Sequence, residues 1–234
     1  MIYITGDTHG QLRRLVIHRW TSEDKLIITG DFGFVLFGED NCPEETQKLD
    51  VLASLPCEIL FIDGNHEGFP HLGAYPLEER YGAPVRRLRP NIFWLLRAKV
   101  YTIEGNTFFT MGGAASPDRT FREHCHAAGS PPLWFPQELP DPQDYGAAWQ
   151  ALYGHNAQVD YILTHTAPFS VIPQLTHSPP RPEDAALTHF LDEVYREISF
   201  RRWYCGHFHI DKQIEPLSGK PLVCCYDQLS LLSN

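Results

Sequence analysis

Three features are missing from this sequence, and each absence excludes a class of protein. Lys and Arg number 19 against 29 Asp and Glu, so the formal net charge is -10 and a basic footprint for duplex nucleic acid is not indicated. No apolar run approaches the roughly 18 residues of a membrane span, and no basic leader precedes the first strand. The six cysteines form no CxxC pair, which argues against a disulfide framework or zinc ribbon. We therefore expect a cytoplasmic protein with no membrane partner.

The length and composition favour one domain. A chain of 234 residues with 43% hydrophobic residues can fill a sizeable core. It contains no internal repeat, coiled-coil heptad or linker long enough to require a second domain. We expect a single domain over residues 1–234, with an insertion at about residues 112–144.

The first third of the chain alternates strand-forming runs with helical patterns. Residues 2–5, 26–29 and 58–62 are short apolar runs rich in β-branched side chains, which favours strands. Apolar residues recur at helical spacing in residues 11–20 and 43–55. The order strand, helix, strand, helix, strand predicts buried parallel strands, and ligands bind beyond the carboxyl ends of such strands.

The second half is less regular. Residues 93–96, 99–103 and 107–111 predict three short strands, the last two joined by a hairpin turn, and we expect the sheet to continue there as antiparallel. Residues 112–144 are rich in Gly, Pro, Ser, charged and aromatic residues, which predicts a long functional or mobile loop. Further patterns predict helices at 145–153 and 183–197, and strands at 159–163, 202–205, 213–215 and 221–226.

Five polar clusters follow strand-forming runs directly. The clusters are Asp7-Thr8-His9-Gly10, Gly30-Asp31, Gly64-Asn65-His66-Glu67, Thr164-His165-Thr166 and Gly206-His207-Phe208-His209. Side chains in these positions collect at one edge of a sheet. Leaving His66 aside, they offer two aspartates, one asparagine and four histidines, which is enough for two metal ions that share one carboxylate.

Each cluster alone has a plainer explanation. Asp7 could cap a helix, Gly64-Asn65 is common turn chemistry, and a lone histidine such as His165 is more often structural than a ligand. His207 and His209 are the strongest pair, because alternate residues of an extended segment point the same way. The order and placement of all five clusters together favour a metal site.

Two-metal chemistry explains these residue types. Hydrolysis of a phosphate ester needs a strong nucleophile, neutralisation of the phosphate charge and a proton for the leaving oxygen. Two cations about 3.5 to 4 Å apart supply the first two through a bridging hydroxide and polarised phosphoryl oxygens. Imidazole and carboxylate ligands together favour transition metals. The expected cofactors are two divalent ions, manganese first, with iron, zinc, cobalt or nickel as alternatives.

The motifs DTHG, GD, GNHE, TH and GHFH, in this order from Asp7 to His209, resemble those of the calcineurin-like metallophosphoesterase superfamily. The resemblance implies an α/β fold, a four-layer α/β/β/α sandwich of two mixed β-sheets with a dinuclear centre. It implies that His66 is the catalytic group that protonates the leaving oxygen or stabilises the transition state; a mere hydrogen bonder to a ligand is the alternative. The implied ligands are Asp7, His9 and His209 for the first metal, Asn65, His165 and His207 for the second, and Asp31 as the bridge.

One motif departs from the family pattern. Many members read GDxxD, and the second aspartate orients the histidine of GNH, whereas this chain has Phe34 at that position. Phe34 cannot accept a hydrogen bond, so another group must set the tautomer of His66. Glu67, Glu39 and Asp40 are the candidates.

Substrate choice is expected to depend on the insertion. Its GGAASPD and WFPQE stretches resemble a pattern in a group of small bacterial and phage phosphoesterases. Arg119 and Arg122 are candidate phosphate clamps, because a guanidinium binds phosphate oxygens in a bidentate manner; solvated loop charges are the alternative. For Trp134 and Phe135, anchoring of the insertion is favoured over stacking on a base.

The expected function is dinuclear, metal-dependent hydrolysis of a phosphate ester by the bridging hydroxide, with a diester favoured over a monoester. The expected partner is a small phosphorylated molecule such as a nucleotide. Two alternatives stay open: a non-catalytic metal-binding scaffold of the same fold, and a nuclease or protein phosphatase. A nuclease would need a basic groove, which the net charge disfavours, and the RG that follows GDxxD in protein phosphatases of the superfamily is absent here.

Overall fold

A computed structural model describes residues 1–215 and 219–232, so the last two residues of the domain predicted over 1–234 lie outside the described residues. The helices are α1 (Arg13–Val16), α2 (Pro43–Ala53), α3 (Phe69–Leu72), α4 (Arg119–Ala127), α5 (Pro142–Gly154), α6 (Ile172–Thr176) and α7 (Ala185–Glu197), with short 3-10 helices at Pro136–Glu138 and Pro182–Asp184. The strands are β1 (Ile2–Thr5), β2 (Lys25–Thr29), β3 (Glu58–Ile62), β4 (Leu77–Arg80), β5 (Ala83–Arg89), β6 (Ile92–Leu95), β7 (Lys99–Ile103), β8 (Asn106–Met111), β9 (Tyr161–Thr164), β10 (Arg202–Cys205), β11 (Lys212–Ile214), β12 (Leu222–Cys224) and β13 (Ser230–Leu231).

The strands form two mixed sheets. The first has the order β13-β1-β2-β3-β6-β5-β4, in which β1, β2, β3 and β6 are parallel and antiparallel strands lie at both ends. The second has the order β11-β12-β10-β9-β8-β7, in which β12, β10, β9 and β8 are parallel and the outer strands β11 and β7 are antiparallel. The parallel strands are almost wholly buried, which is why their sequences are continuous apolar runs.

Three apolar clusters separate four layers. Successive residues of a strand point to opposite faces, so Ile27 of β2 packs between the two sheets, while its neighbours Leu26 and Ile28 pack under the first pair of helices. That outer cluster includes Leu49 of α2, and α5 and α7 cover the other sheet with a third cluster that includes Leu191. The predicted α/β/β/α sandwich of two mixed sheets is confirmed.

The first helix is shorter than predicted from residues 11–20. It ends at Val16, and Trp20 folds back so that its indole N–H donates to the carbonyl oxygen of Leu15 at 2.6 Å. The chain therefore leaves the helix before a second helical turn can form. None of the helices in residues 1–215 and 219–232 combines the length and apolarity needed to cross a bilayer.

The middle of the chain differs most from the sequence-based expectation. The antiparallel hairpin predicted for residues 99–103 and 107–111 is confirmed in β7 and β8. Its expected place as a continuation of the first sheet is wrong, because β7 and β8 belong to the second sheet. The strand β6 pairs in parallel with β3 and antiparallel with β5. The strands β4 and β5 were not predicted, since charged residues dominate their sequences LEER and APVRRLR. The expected loop at 112–144 contains α4 and the first 3-10 helix.

Candidate metal centre

The five polar clusters meet where the carboxyl ends of the parallel strands of both sheets face the same side. Asp7 and His9 follow β1, Asp31 follows β2, Asn65 and His66 follow β3, His165 follows β9, and His207 and His209 follow β10. Within the second sheet, the Gly206 N–H donates to the carbonyl oxygen of His165 at 2.9 Å. A contact between the two sheets follows, because the His207 N–H lies 3.0 Å from both carboxylate oxygens of Asp7.

Five of the seven predicted ligands have a left-handed backbone conformation. The φ angles are 43° at Asp7, 45° at His9, 49° at Asp31, 69° at His207 and 51° at His209. For a residue other than glycine, such a conformation costs on the order of 1 to 3 kcal/mol. Strain of this kind persists only where the surrounding structure enforces it, and it clusters at functional sites.

Four predicted ligands form one compact group. One donor atom from each of Asp7, His9, Asp31 and His209 lies within 4.8 Å of the others. The Nε2 atoms of His9 and His209 are 2.9 Å apart, and each is 3.7 Å from a carboxylate oxygen, of Asp31 and Asp7 respectively. Two imidazoles and two carboxylates that converge in this way are a donor set for a divalent transition metal.

The other three predicted ligands surround a second position beside Asp31. Asn65 Oδ1 lies 3.1 Å from His165 Nε2 and 3.0 Å from His207 Nδ1, and Asp31 Oδ1 lies 3.3 Å from His165 Nε2. Nδ1 of His165 faces the carbonyl oxygen of Thr29 at 2.8 Å, and because that oxygen only accepts, Nδ1 carries a hydrogen. Nε2 is then the ring atom that could bind a cation, and it faces two oxygen donors. The residues present therefore fit two metal ions with Asp31 between them.

Burial controls the protonation of these groups. It lowers the pKa of His9 to about 4 and that of His207 to about 3, so both imidazoles are neutral at pH 7 and can bind a metal. Burial raises the pKa of Asp7 to about 7. Burial disfavours charge on His165 and Asp31 too, but their mutual attraction outweighs it, raises the pKa of His165 to about 10 and lowers that of Asp31. A cation bound here would replace the Nε2 proton of His165.

His66 lies at the rim of this centre. Its ring centroid is 4.9 Å from that of His9, and its backbone N–H donates to Asp31 Oδ1 at 2.8 Å. Nη2 of Arg122 lies 2.7 and 2.6 Å from the two ring nitrogens. Arg122 is only 6% exposed and forms an ion pair with Asp118 at 2.9 Å. Burial lowers the pKa of His66, and the charge of Arg122 lowers it further.

The hydrogen-bonding partner of the His66 ring is thus Arg122 of α4. The three carboxylates that the sequence offered for this role have other contacts. Glu67 is buried and accepts backbone N–H groups of the second and third motifs. Glu39 pairs with an arginine on β5, and Asp40 is exposed. Phe34 is fully buried in the cluster beneath the first helices.

The other arginine of α4 has a different environment. Arg119 is 53% exposed and pairs with Glu123 at 3.0 Å, while its guanidinium carbon lies 3.9 Å from the ring centroid of Trp134. Phe135 packs edge-on against Phe69 with ring centroids 6.5 Å apart. Phe135 therefore connects the insertion with α3, the anchoring role that the sequence favoured over stacking on a base, whereas the contact of Trp134 lies within the insertion itself.

Two residues near the centre were missed by sequence reasoning. Asn65 Nδ2 lies 3.3 Å from Ser116 Oγ, and that hydroxyl donates to Glu138 at 2.5 Å. Ser116 belongs to the GGAASPD stretch and Glu138 to the WFPQE stretch. Their place in these two stretches is the signal by which they could have been found.

Gly30 allows β2 to approach His165. Its φ is +94°, and an added Cβ would lie 2.2 Å from His165 Nδ1. We expect Gly30→Ala to lower the free energy of unfolding by roughly 2 kcal/mol or more and to weaken metal binding, because His165 must move. Gly82→Ala is the matched control, since its φ is +85° but nothing lies within 4 Å of the added Cβ. Urea denaturation and metal titration check both variants, and equal losses would contradict a specific role of the contact with His165.

Residues 1–211 match the family of calcineurin-like phosphoesterases. The chain belongs to this family. A lariat debranching enzyme of Saccharomyces cerevisiae is 31% identical over 128 residues, which cover 48% of this chain and only 30% of that relative's length. The likeness to the relative therefore concerns part of each protein.

Solved structures resemble this member of the calcineurin-like phosphoesterase family at low sequence identity. A Staphylococcus aureus protein proposed to be a 5′-nucleotidase superposes with a TM-score of 0.52 at 15% identity, over 97% of this chain and 48% of that one. A phosphopantetheinyl hydrolase from Mycobacterium tuberculosis gives a TM-score of 0.45 at 15% identity, over 97% of this chain and 89% of the other. The first of these likenesses shows a shared fold.

Proposed function

We propose that this calcineurin-like phosphoesterase hydrolyses a phosphate ester with the help of two divalent transition-metal ions, manganese first. The observation that carries the proposal is the second group of donors. His165 Nε2 lies 3.1 Å from Asn65 Oδ1 and 3.3 Å from Asp31 Oδ1. The other ring nitrogen donates to the carbonyl oxygen of Thr29, so Nε2 is the atom left to bind an ion. Family membership supports the same conclusion.

Each predicted ligand has a place in this proposal. When bound, two ions of this kind supply an activated water and neutralise phosphate charge. The protein's part is to hold the donors in place and to keep His9 and His207 neutral by burial. Asp7, His9 and His209 would hold one ion, Asn65, His165 and His207 the other, and Asp31 both.

His66 is proposed to stabilise the transition state by donating a hydrogen bond. A guanidinium has only donors, so the ring nitrogen that takes a hydrogen from Arg122 is an acceptor. The other nitrogen of the neutral ring then carries the proton. It also lies close to Nη2 of Arg122, so it would have to turn away from the guanidinium to donate to a phosphoryl oxygen as negative charge grows there. Burial and the charge of Arg122 both disfavour the imidazolium form, which supports this role over protonation of the leaving oxygen. In this proposal Arg122 orients the His66 ring by a hydrogen bond and is therefore less available to bind phosphate oxygens.

The proposed substrate is a small phosphodiester, for example of a nucleotide. A phosphomonoester carries about 1.5 to 2 negative charges at pH 7, whereas a phosphodiester carries one. The two arginines of α4 already face carboxylates, Arg119 facing Glu123 and Arg122 facing Asp118. These two side chains therefore offer little unpaired positive charge to balance the second charge of a monoester.

The first experiment compares bis-p-nitrophenyl phosphate with p-nitrophenyl phosphate on protein stripped by a chelator and reloaded with manganese. We expect metal-dependent hydrolysis of the diester at a higher kcat/KM than the monoester. Faster hydrolysis of the monoester would overturn the diester preference alone. No hydrolysis of either ester by protein that holds two ions would favour the non-catalytic scaffold.

A nuclease is the second candidate, and the 31% identity with a lariat debranching enzyme favours it. The net charge of -10 argues against an extended nucleic-acid footprint. Linear and branched RNA oligonucleotides tested under the same conditions distinguish the two candidates. Cleavage of RNA at a higher kcat/KM than any small diester would replace the first proposal by the second.

A further inference from the structure

A chain of hydrogen bonds connects the insertion with Asn65. Glu138 is 2% exposed and accepts the backbone N–H of Ser116 at 3.0 Å and its hydroxyl at 2.5 Å. The Ser116 hydroxyl oxygen lies 3.3 Å from Asn65 Nδ2. At the other side of the same amide, Asn65 Oδ1 faces His165 and His207 at 3.1 and 3.0 Å.

The Glu138 carboxylate determines which atom donates in each of these hydrogen bonds. A carboxylate only accepts, so the one hydrogen of the Ser116 hydroxyl goes to Glu138 and the hydroxyl oxygen is left to accept from Asn65. The Asn65 amide must then turn its NH2 group toward Ser116 and its carbonyl oxygen toward the two histidines. With the amide reversed, the NH2 group would face the ion position, and it has no lone pair suited to bind a cation.

Ser116 and Glu138 are themselves held in place by further hydrogen bonds. The N–H group of Ala115 donates to Asp184 at 2.5 Å, which fixes the backbone just before Ser116. Arg97 donates to the carbonyl oxygen of Glu138 at 3.2 Å. Ser116 is 7% exposed and Asn65 3% exposed, so water competes little with these hydrogen bonds.

We propose that Ser116 and Glu138 are positioning residues that hold the Asn65 amide with its carbonyl oxygen toward the second metal ion. The inference rests on the proposed two-metal function and deepens it, because it assigns part of the second site to the insertion. It also gives the GGAASPD and WFPQE stretches a common task, since each supplies one member of the chain. Neither residue would touch the substrate in this role.

Glu138→Gln tests the direction with almost no change of shape. If the new NH2 group faced the backbone N–H of Ser116, two donors would oppose each other. If it faced the Ser116 hydroxyl, that oxygen would accept and its hydrogen would turn toward Asn65, which favours the reversed amide. Either arrangement disturbs Asn65, whereas an exposed glutamate changed in the same way, Glu193→Gln on α7, should have no effect.

The measurement is calorimetric titration of manganese into chelator-stripped protein, which yields a dissociation constant for each ion. We expect Glu138→Gln and Ser116→Ala to raise the dissociation constant of one ion by about 10- to 100-fold. The dissociation constant of the other ion should stay at its wild-type value. Ser116→Thr keeps the hydroxyl, so the dissociation constant of that ion should lie close to the wild-type value. Melting temperatures of the ion-free variants show whether the fold is intact.

The outcomes separate this inference from the proposed function. Wild-type affinity for both ions in Glu138→Gln and Ser116→Ala would overturn the positioning role and leave the two-metal function standing. An equal loss of affinity for both ions, together with a lower melting temperature, would assign the two residues a structural role instead. A wild-type protein that binds fewer than two ions would overturn the two-metal function, and this inference with it.

Discussion

Asp31→Asn is expected to lower kcat/KM by about three orders of magnitude or more, with fewer than two metal ions bound per chain. Asp31 is in contact with both groups of donors. Its Oδ2 lies 3.7 Å from His9 Nε2 and its Oδ1 lies 3.3 Å from His165 Nε2. The substitution preserves shape but removes the negative charge and places an NH2 group among ligands. Steady-state kinetics on the preferred p-nitrophenyl ester and metal analysis of the same sample measure both effects.

The control for this variant is Asp227→Asn. Asp227 is 75% exposed and pairs with Arg14 at 3.2 Å, so the loss of its charge should change neither kcat/KM nor metal content measurably. Wild-type turnover by Asp31→Asn with two ions bound would rule out Asp31 as the shared ligand. Loss of activity with both ions still bound would restrict Asp31 to a role in the reaction itself.

His66→Ala is expected to lower kcat by about 10²- to 10³-fold while both metal ions stay bound. The His66 side chain lies next to His9 but is outside both groups of donors, so the ions do not depend on it. Its loss removes a hydrogen-bond donor from the place where charge develops. Rates under substrate saturation, with metal content measured in parallel, test the separation of the two effects.

A series of esters with leaving groups of increasing pKa distinguishes the two roles considered for His66. If His66 donates to a phosphoryl oxygen, the loss in kcat is about the same for every ester. If it protonates the leaving oxygen, the loss grows as the leaving group becomes more basic, because a poor leaving group needs the proton more. His124→Ala, an exposed histidine on α4, is the control. Wild-type kcat in His66→Ala for every ester would exclude both roles.

The predicted ligands could be found in the sequence because a parallel α/β sheet places the residues after its strands on one side. Short apolar runs such as those of β1, β2 and β3 reveal where the strands end, and the polar residue after each run is easy to locate. The seven predicted ligands do lie together in the structure. Their division between two ions came from the family resemblance and stays a prediction. In the structure, Asp31 lies near two sets of donors: Asp7, His9 and His209, and Asn65, His165 and His207.

The middle of the chain could not be predicted in the same way. The pattern of β6 says that it is buried but not which strand it pairs with, and its parallel pairing with β3 depends on where the chain returns. The strands β4 and β5 carry mostly charged residues, so neither periodicity nor composition marks them. The helix α4 begins in a segment whose Gly and Pro content indicated a loop.

By itself the sequence determined the family, the strand–helix order of the first third and the residue types of the metal centre, because each depends on local patterns or on motif order. Only the tertiary structure decided what surrounds His66 and Asn65. Arg122 reaches His66 across 56 positions of the chain, and Ser116 reaches Asn65 across 51. Such contacts depend on how the insertion packs over the ends of the strands, and no local periodicity encodes that packing. The missing carboxylate at Phe34 was visible in the sequence, but the arginine beside His66 became visible only when the chain was folded.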